Sequence, residues 1–192
     1  MRMSFRFDPT SYGPTISTLL QQDEPCELGP GTPNRVLADQ LQELNANSLS
    51  DKPIVDQQMA ACCVSSLWLL HNFLGDSHTI NQGIRTSTGS YWHAIMHRRE
   101  PDFPNSKYWF RRVGSHPVFP TLCSAVRETL EGTDLVEAAA FFGTQSEWDP
   151  FAFVDLCEAA TQGKANVQLC RNVAQLEWRI LFDYCYRAAI GE

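Results

Sequence analysis

Apolar residues along this chain recur at intervals of three and four, and no stretch alternates with a period of two, so the pattern predicts helices throughout. The widest apolar stripe runs over about 54–74, where Val55, Met59, Cys62, Cys63, Leu67, Leu70, Phe73 and Leu74 mark one face. Ala60, Ala61 and Val64 leave little solvated surface opposite it, which predicts a central core helix ended by Gly75. A second clear pattern, Leu169, Val173, Leu176, Ile180, Leu181 and Tyr184, predicts a long final helix over about 166–189, with Glu177, Trp178, Arg179 and Asp183 at its surface or edge.

Punctuation residues supply the other boundaries. Residues 1–13 read as an irregular arm, and 14–22 as a short helix. Thr32 and Pro33 look like the cap and first position of a helix reaching about Leu44. Residues 76–88 read as a polar loop. A helix over about 90–100, capped by Ser87 or Thr88, is stopped by Pro101. Short helices follow over 107–113, 117–130, 133–142 and 149–161, the last with Asp149 as its cap. The expectation is an all-α, single-domain bundle of seven to eight helices spanning 1–192.

Charge changes this picture in one place. The net charge is -7, yet residues 85–112 carry Arg85, Arg98, Arg99, Lys107, Arg111 and Arg112 against Glu100 and Asp102. That local excess of basic groups on an acidic protein disfavours nucleic acid as a partner and suits a small anionic ligand in one pocket. Seven cysteines without a CxxC argue against a disulfide framework or a zinc ribbon, and no stretch has the length to span a bilayer. A reducing, cytoplasmic setting with no membrane partner is the resulting expectation.

All five histidines fall between His71 and Pro117. On a helix, His93, His97 and Glu100 share one face, because four and three residues are each close to one turn. Two imidazoles at that spacing suit a divalent metal, with Glu100 as a third ligand or a base, and with His78 or His71 completing the set. The spacing is His-x-x-x-His without a glutamate after the first histidine, which excludes the HExxH protease motif. The plainer alternative keeps His93 and His97 as core-edge side chains bonded to backbone or to Glu100.

Paired guanidinium groups at Arg98-Arg99 and Arg111-Arg112, with Lys107, suit phosphate or carboxylate. The local echo between YWHAIMHRR and YWFRRVG would set two short helices on opposite walls of one pocket, Tyr91, Trp92, Tyr108 and Trp109 stacking on a ligand. Against this, an inward arginine often meets a buried acid, and helix aromatics are often core.

The segment GSYWHAIMHRREPDFPNSKYWFRRVGSHPVF, with DSHTINQ before it and QLEWRILFDYCY near the end, resembles a group of bacterial and fungal proteins over about half the chain. That resemblance implies no reaction, cofactor or catalytic residue. Three readings therefore stand: an enzyme on a small anionic or hydroxylated molecule, metal-assisted or using general acid–base chemistry; a ligand-binding or sensor module without turnover; and a structural protein with a buried histidine–arginine–acid network.

Overall fold

The computed structural model describes residues 5–21, 25–130, 142–143 and 145–192. These form α-helices and short 3-10 turns, with no strand among them, so the chain is all-α. In chain order the helices are α1 (Pro14–Leu19), α2 (Ala38–Glu43), α3 (Gln57–Leu70), α4 (Leu74–Asn81), α5 (Ser87–Arg99), α6 (Phe103–Val113), α7 (Phe119–Leu130), α8 (Pro150–Thr161) and α9 (Val167–Ile190). The helix expected over 133–142 lies outside the described residues except for its last position, Phe142, whose ring stacks on Trp148. None of the helices is long and apolar enough to cross a membrane.

The cores of α3 and α9 pack against each other, as their apolar stripes require. The Asp56 carboxylate accepts the N–H groups of Gln58 and Met59 and starts α3. Ten of its fourteen residues are buried, so it has no solvated face. Trp178 donates its indole N–H to the Ser66 carbonyl at 3.1 Å and fixes the α3–α9 register. On α9, Trp178, Phe182 and Tyr186 stand one turn apart and receive Phe7 and Tyr12 from the N-terminal arm. That arm is therefore docked: Tyr12 is buried and donates its hydroxyl to Asp183 at 2.8 Å.

Two boundaries differ from expectation in ways that matter for the site. Residues 74–81 are helix α4, not loop. The turn that separates α3 from α4 is made by Asn72 at φ 66, while Gly75 lies inside α4. Asn72 tolerates the left-handed region because its short amide finds a local bond, here to the Thr32 carbonyl at 2.9 Å. Residues 103–106, expected as a turn, form the first turn of α6. Asp102 caps it through Asn105 N–H at 3.2 Å, and Pro104 sits where no helical N–H is needed. Likewise Thr86, rather than Ser87 or Thr88, caps α5 through the Gly89 N–H. Near α2, a 3-10 turn at Arg35–Leu37 occupies the start of the helix expected from Thr32.

Candidate metal site between α4, α5 and α6

Helix α5 is buried from Thr88 to Arg99, and its neighbours decide what each side chain meets. His93 and His97 stack one above the other, ring centroids 4.8 Å apart and planes 20° from parallel. The turn and pitch of α5 impose that arrangement. His78 enters from α4, edge-on to His93 at 4.8 Å and to His97 at 5.4 Å. One ligand nitrogen from each of the three lies within 4.8 Å of the others. Trp109 of α6 covers the far face of His93 at 3.8 Å, and the Arg112 guanidinium sits over that indole.

Polar neighbours orient two of the rings. Glu100, at the C-terminus of α5, bonds His97 Nδ1 at 3.0 Å, and the Asn105 amide lies 3.2 Å from His97 Nε2. Gln82, one turn beyond His78, contacts His78 Nδ1 at 2.9 Å. His93 differs from both: its Nδ1 is enclosed and has no hydrogen-bond partner. Burial, reinforced by the adjacent His97 and His78, pushes His93 down to about 3, so the ring is a neutral donor of its lone pair at neutral pH. His97 is also lowered, chiefly by burial, with Glu100 opposing the shift.

The other two histidines lie elsewhere. His71 caps α3 and turns its Nε2 to the Leu19 carbonyl at 2.9 Å, which takes it out of the expected ligand set. His116 is buried among Tyr91, Phe119 and Tyr184 and contacts Thr88 Oγ1 at 3.1 Å.

The basic and aromatic residues are dispersed rather than gathered into one pocket. Arg98 points into the core and pairs with Glu177 of α9. Burial lowers the affinity of Arg98 for its proton, and the Glu177 carboxylate more than offsets this. Glu177 also accepts the Tyr91 hydroxyl at 3.0 Å, and at 1% exposure it is an interior residue, as is Trp178; neither is at the surface or edge. Arg99 reaches the opposite way and donates to the carbonyls of Leu69, Gly29 and Pro30 and to the Asn72 side chain, tying the 29–30 loop to the end of α3. Lys107 pairs with Asp155 of α8. Trp92 is in the core, donating to Cys185 Sγ, while Tyr108 is 48% exposed and Arg111 lies on the surface. Of the four expected aromatics, Trp109 stacks on the His78–His93–His97 cluster, while Tyr91 packs against His116 instead.

No protein family, curated protein or solved structure matches this chain. The chemistry of the three imidazoles must therefore carry the functional reading. A tetrahedral ion with nitrogen bonds of about 2.0–2.1 Å holds its ligands about 3.3 Å apart. The three rings are near enough for small side-chain rotations to reach that spacing, and half-buried His78 has the most room to move. With His97 Nδ1–H engaged by Glu100, Nε2 is the nitrogen that could take an ion, in place of its 3.2 Å contact with the Asn105 amide. This is the usual carboxylate–histidine support of a metal ligand. Gln82 does the same for His78 when its amide oxygen, rather than its nitrogen, faces Nδ1.

Proposed function

We propose that His78, His93 and His97 bind a divalent transition-metal ion and that the protein uses it to act on a small anionic or hydroxylated molecule. Convergence of three imidazoles from two helices is the observation that carries this reading. Three neutral nitrogen ligands suit zinc best and leave a fourth position for water. Zinc held there would supply a bound water that ionises near neutral pH, a nucleophile for hydrolysis or hydration. Glu100, 40% exposed at its side chain and bonded to His97, supports that ligand and is the candidate base for proton transfer. Arg112, above Trp109, and exposed Arg111 give the approach from α6 a positive charge suited to an anionic substrate.

The close stack of Trp109 on His93, 13° from parallel, favours a second reading in which the rings form a metal-free structural column. Elemental analysis of the purified full chain separates the two. The metal reading expects close to one zinc, iron, manganese or nickel ion per chain, lost in His93→Ala and in His97→Ala. A metal-free protein whose melting temperature is indifferent to added zinc and to chelator supports the structural column instead.

A further inference from the structure

A cavity of about 520 Å³ lies on α9, built from residues that take no part in the histidine cluster. That volume is within the range of pockets that enclose small organic ligands. Its walls come from three parts of the chain: Phe7 of the N-terminal arm, Leu20 and Leu70 at the ends of α1 and α3, and Gln175, Trp178 and Arg179 of α9. The last three stand at the spacing of one helical turn, so their side chains project to one side.

The polar groups of this wall are unevenly committed. Trp178 spends its indole N–H on the Ser66 carbonyl, so what it offers the cavity is apolar ring. Gln175 accepts the Cys26 N–H at 2.9 Å through its Oε1, while its amide nitrogen makes no bond among the described residues. Among the described residues, Arg179 is the only charged side chain lining the cavity. Its guanidinium carbon lies over the Phe7 ring, 5.5 Å from the centre. Nε is enclosed without a hydrogen-bond partner, and among the described residues no carboxylate pairs with this arginine. The contrast with its neighbours is sharp: buried Arg98 has Glu177, and half-buried Arg171 has Glu27.

We propose that this cavity is a binding site for a small organic carboxylate with an apolar body. Arg179 takes the carboxylate as a fork, the Gln175 amide adds a donor, and Phe7, Leu20, Leu70 and the Trp178 ring enclose the hydrocarbon. A half-buried guanidinium with no counterion among the described residues is costly, and a bound carboxylate supplies both the charge and the missing acceptors. An inorganic anion satisfies only the charge and leaves the apolar walls wet. The site is independent of the metal reading, since the two share no residue.

Isothermal titration of the full chain with octanoate and benzoate, beside octanamide, benzamide and inorganic phosphate, tests this. The site expects saturable binding of at least one carboxylate, with the matched amide and phosphate each weaker by at least about tenfold. Arg179→Gln removes that advantage by a similar factor, and His93→Ala leaves it unchanged, even if the metal site proves absent. Carboxylate and amide binding equally, phosphate binding as well as octanoate, no binding by either carboxylate, or an Arg179→Gln protein with undiminished affinity would each overturn the proposal. Should Arg179→Gln not fold, the carboxylate–amide comparison on the natural chain decides alone.

Discussion

Arg98 and Glu177 meet in the protein interior, joining α5 to α9 across 79 residues of sequence. Tyr91, two turns before Arg98 on α5, donates to the other oxygen of the same carboxylate. One acid on α9 thus fixes the rotation of the helix that carries His93 and His97.

Breaking that pair from one side strands a charge in the core. Arg98→Met is expected to cost about 3–5 kcal/mol, because Glu177 is left ionised and buried or must take up a proton. The double replacement Arg98→Met with Glu177→Leu is expected to recover most of the loss. Urea denaturation of the two variants and the natural chain measures both quantities. Equal destabilisation by the single and double changes would show that packing, not charge, dominates at this contact.

Gly89 sits where α5 packs on Ile84, in the segment that follows α4. A Cβ there would stand 2.7 Å from Ile84 Cβ and 2.9 Å from the Ile84 carbonyl oxygen, and that backbone cannot step aside cheaply. Gly89→Ala is expected to destabilise the fold by about 1–3 kcal/mol despite the better helix propensity of alanine. A thermal melt checks the sign, since an exposed helical glycine would respond in the opposite direction.

Acid sensitivity follows from His116. Its Nδ1 faces the Val118 N–H at 3.4 Å, which sets Nε2 as the protonated nitrogen facing Thr88 Oγ1. A second proton would oppose one N–H to another. Burial accordingly pushes this histidine from 6.5 down to about 4. The unfolded chain binds the extra proton in that interval, so the stabilisation is complete above pH 6.5 and is lost as pH falls towards about 4. At most about 3 kcal/mol is involved. In His116→Gln, the loss of stability between pH 6.5 and 4 is expected to be shallower than in the natural chain. Parallel profiles would remove His116 as a source of the acid limb.

Helical periodicity alone placed His93, His97 and Glu100 on one face, and it identified α3 and α9 from their apolar stripes. It failed where tertiary contacts do the work. Helix α4 has little apolar pattern: Gly75, Asp76 and Ser77 look like loop residues, and the helix is held by buried Leu74, Ser77 and Asn81, with Ser77 hydroxyl-bonded to Ser65 of α3. That hidden helix is what aims His78 at α5. The fate of Arg98 and Arg99 was equally unreadable, since their partners are Glu177 on the last helix and carbonyls near residue 30. Local charge counting made a basic patch of residues that the fold sends in opposite directions. Arg179 looked like part of a solvated edge because nothing in the sequence places Phe7 beside it.

Glu100 tests the support of the metal ligands without replacing any of them. Its bond to His97 Nδ1 orients that ring and leaves Nε2, which faces the Asn105 amide at 3.2 Å, as the nitrogen for an ion. Glu100→Ala is expected to weaken zinc binding by about 10–100-fold while leaving the fold intact, as loss of such a supporting carboxylate does elsewhere. Competition with a chelating indicator reads the affinity directly. An unchanged affinity would mean that His97 does not bind through the nitrogen that this geometry leaves open.

X-ray absorption at the zinc edge, on the full chain loaded with one equivalent of zinc, puts the central claim most directly at risk. The site formed by His78, His93 and His97 predicts a first shell of nitrogen and oxygen at about 2.0–2.1 Å, with the outer-shell pattern of three imidazoles. A shell containing sulfur at about 2.3 Å would place the ion on the cysteines instead, and failure to retain zinc at all would contradict the metal site itself.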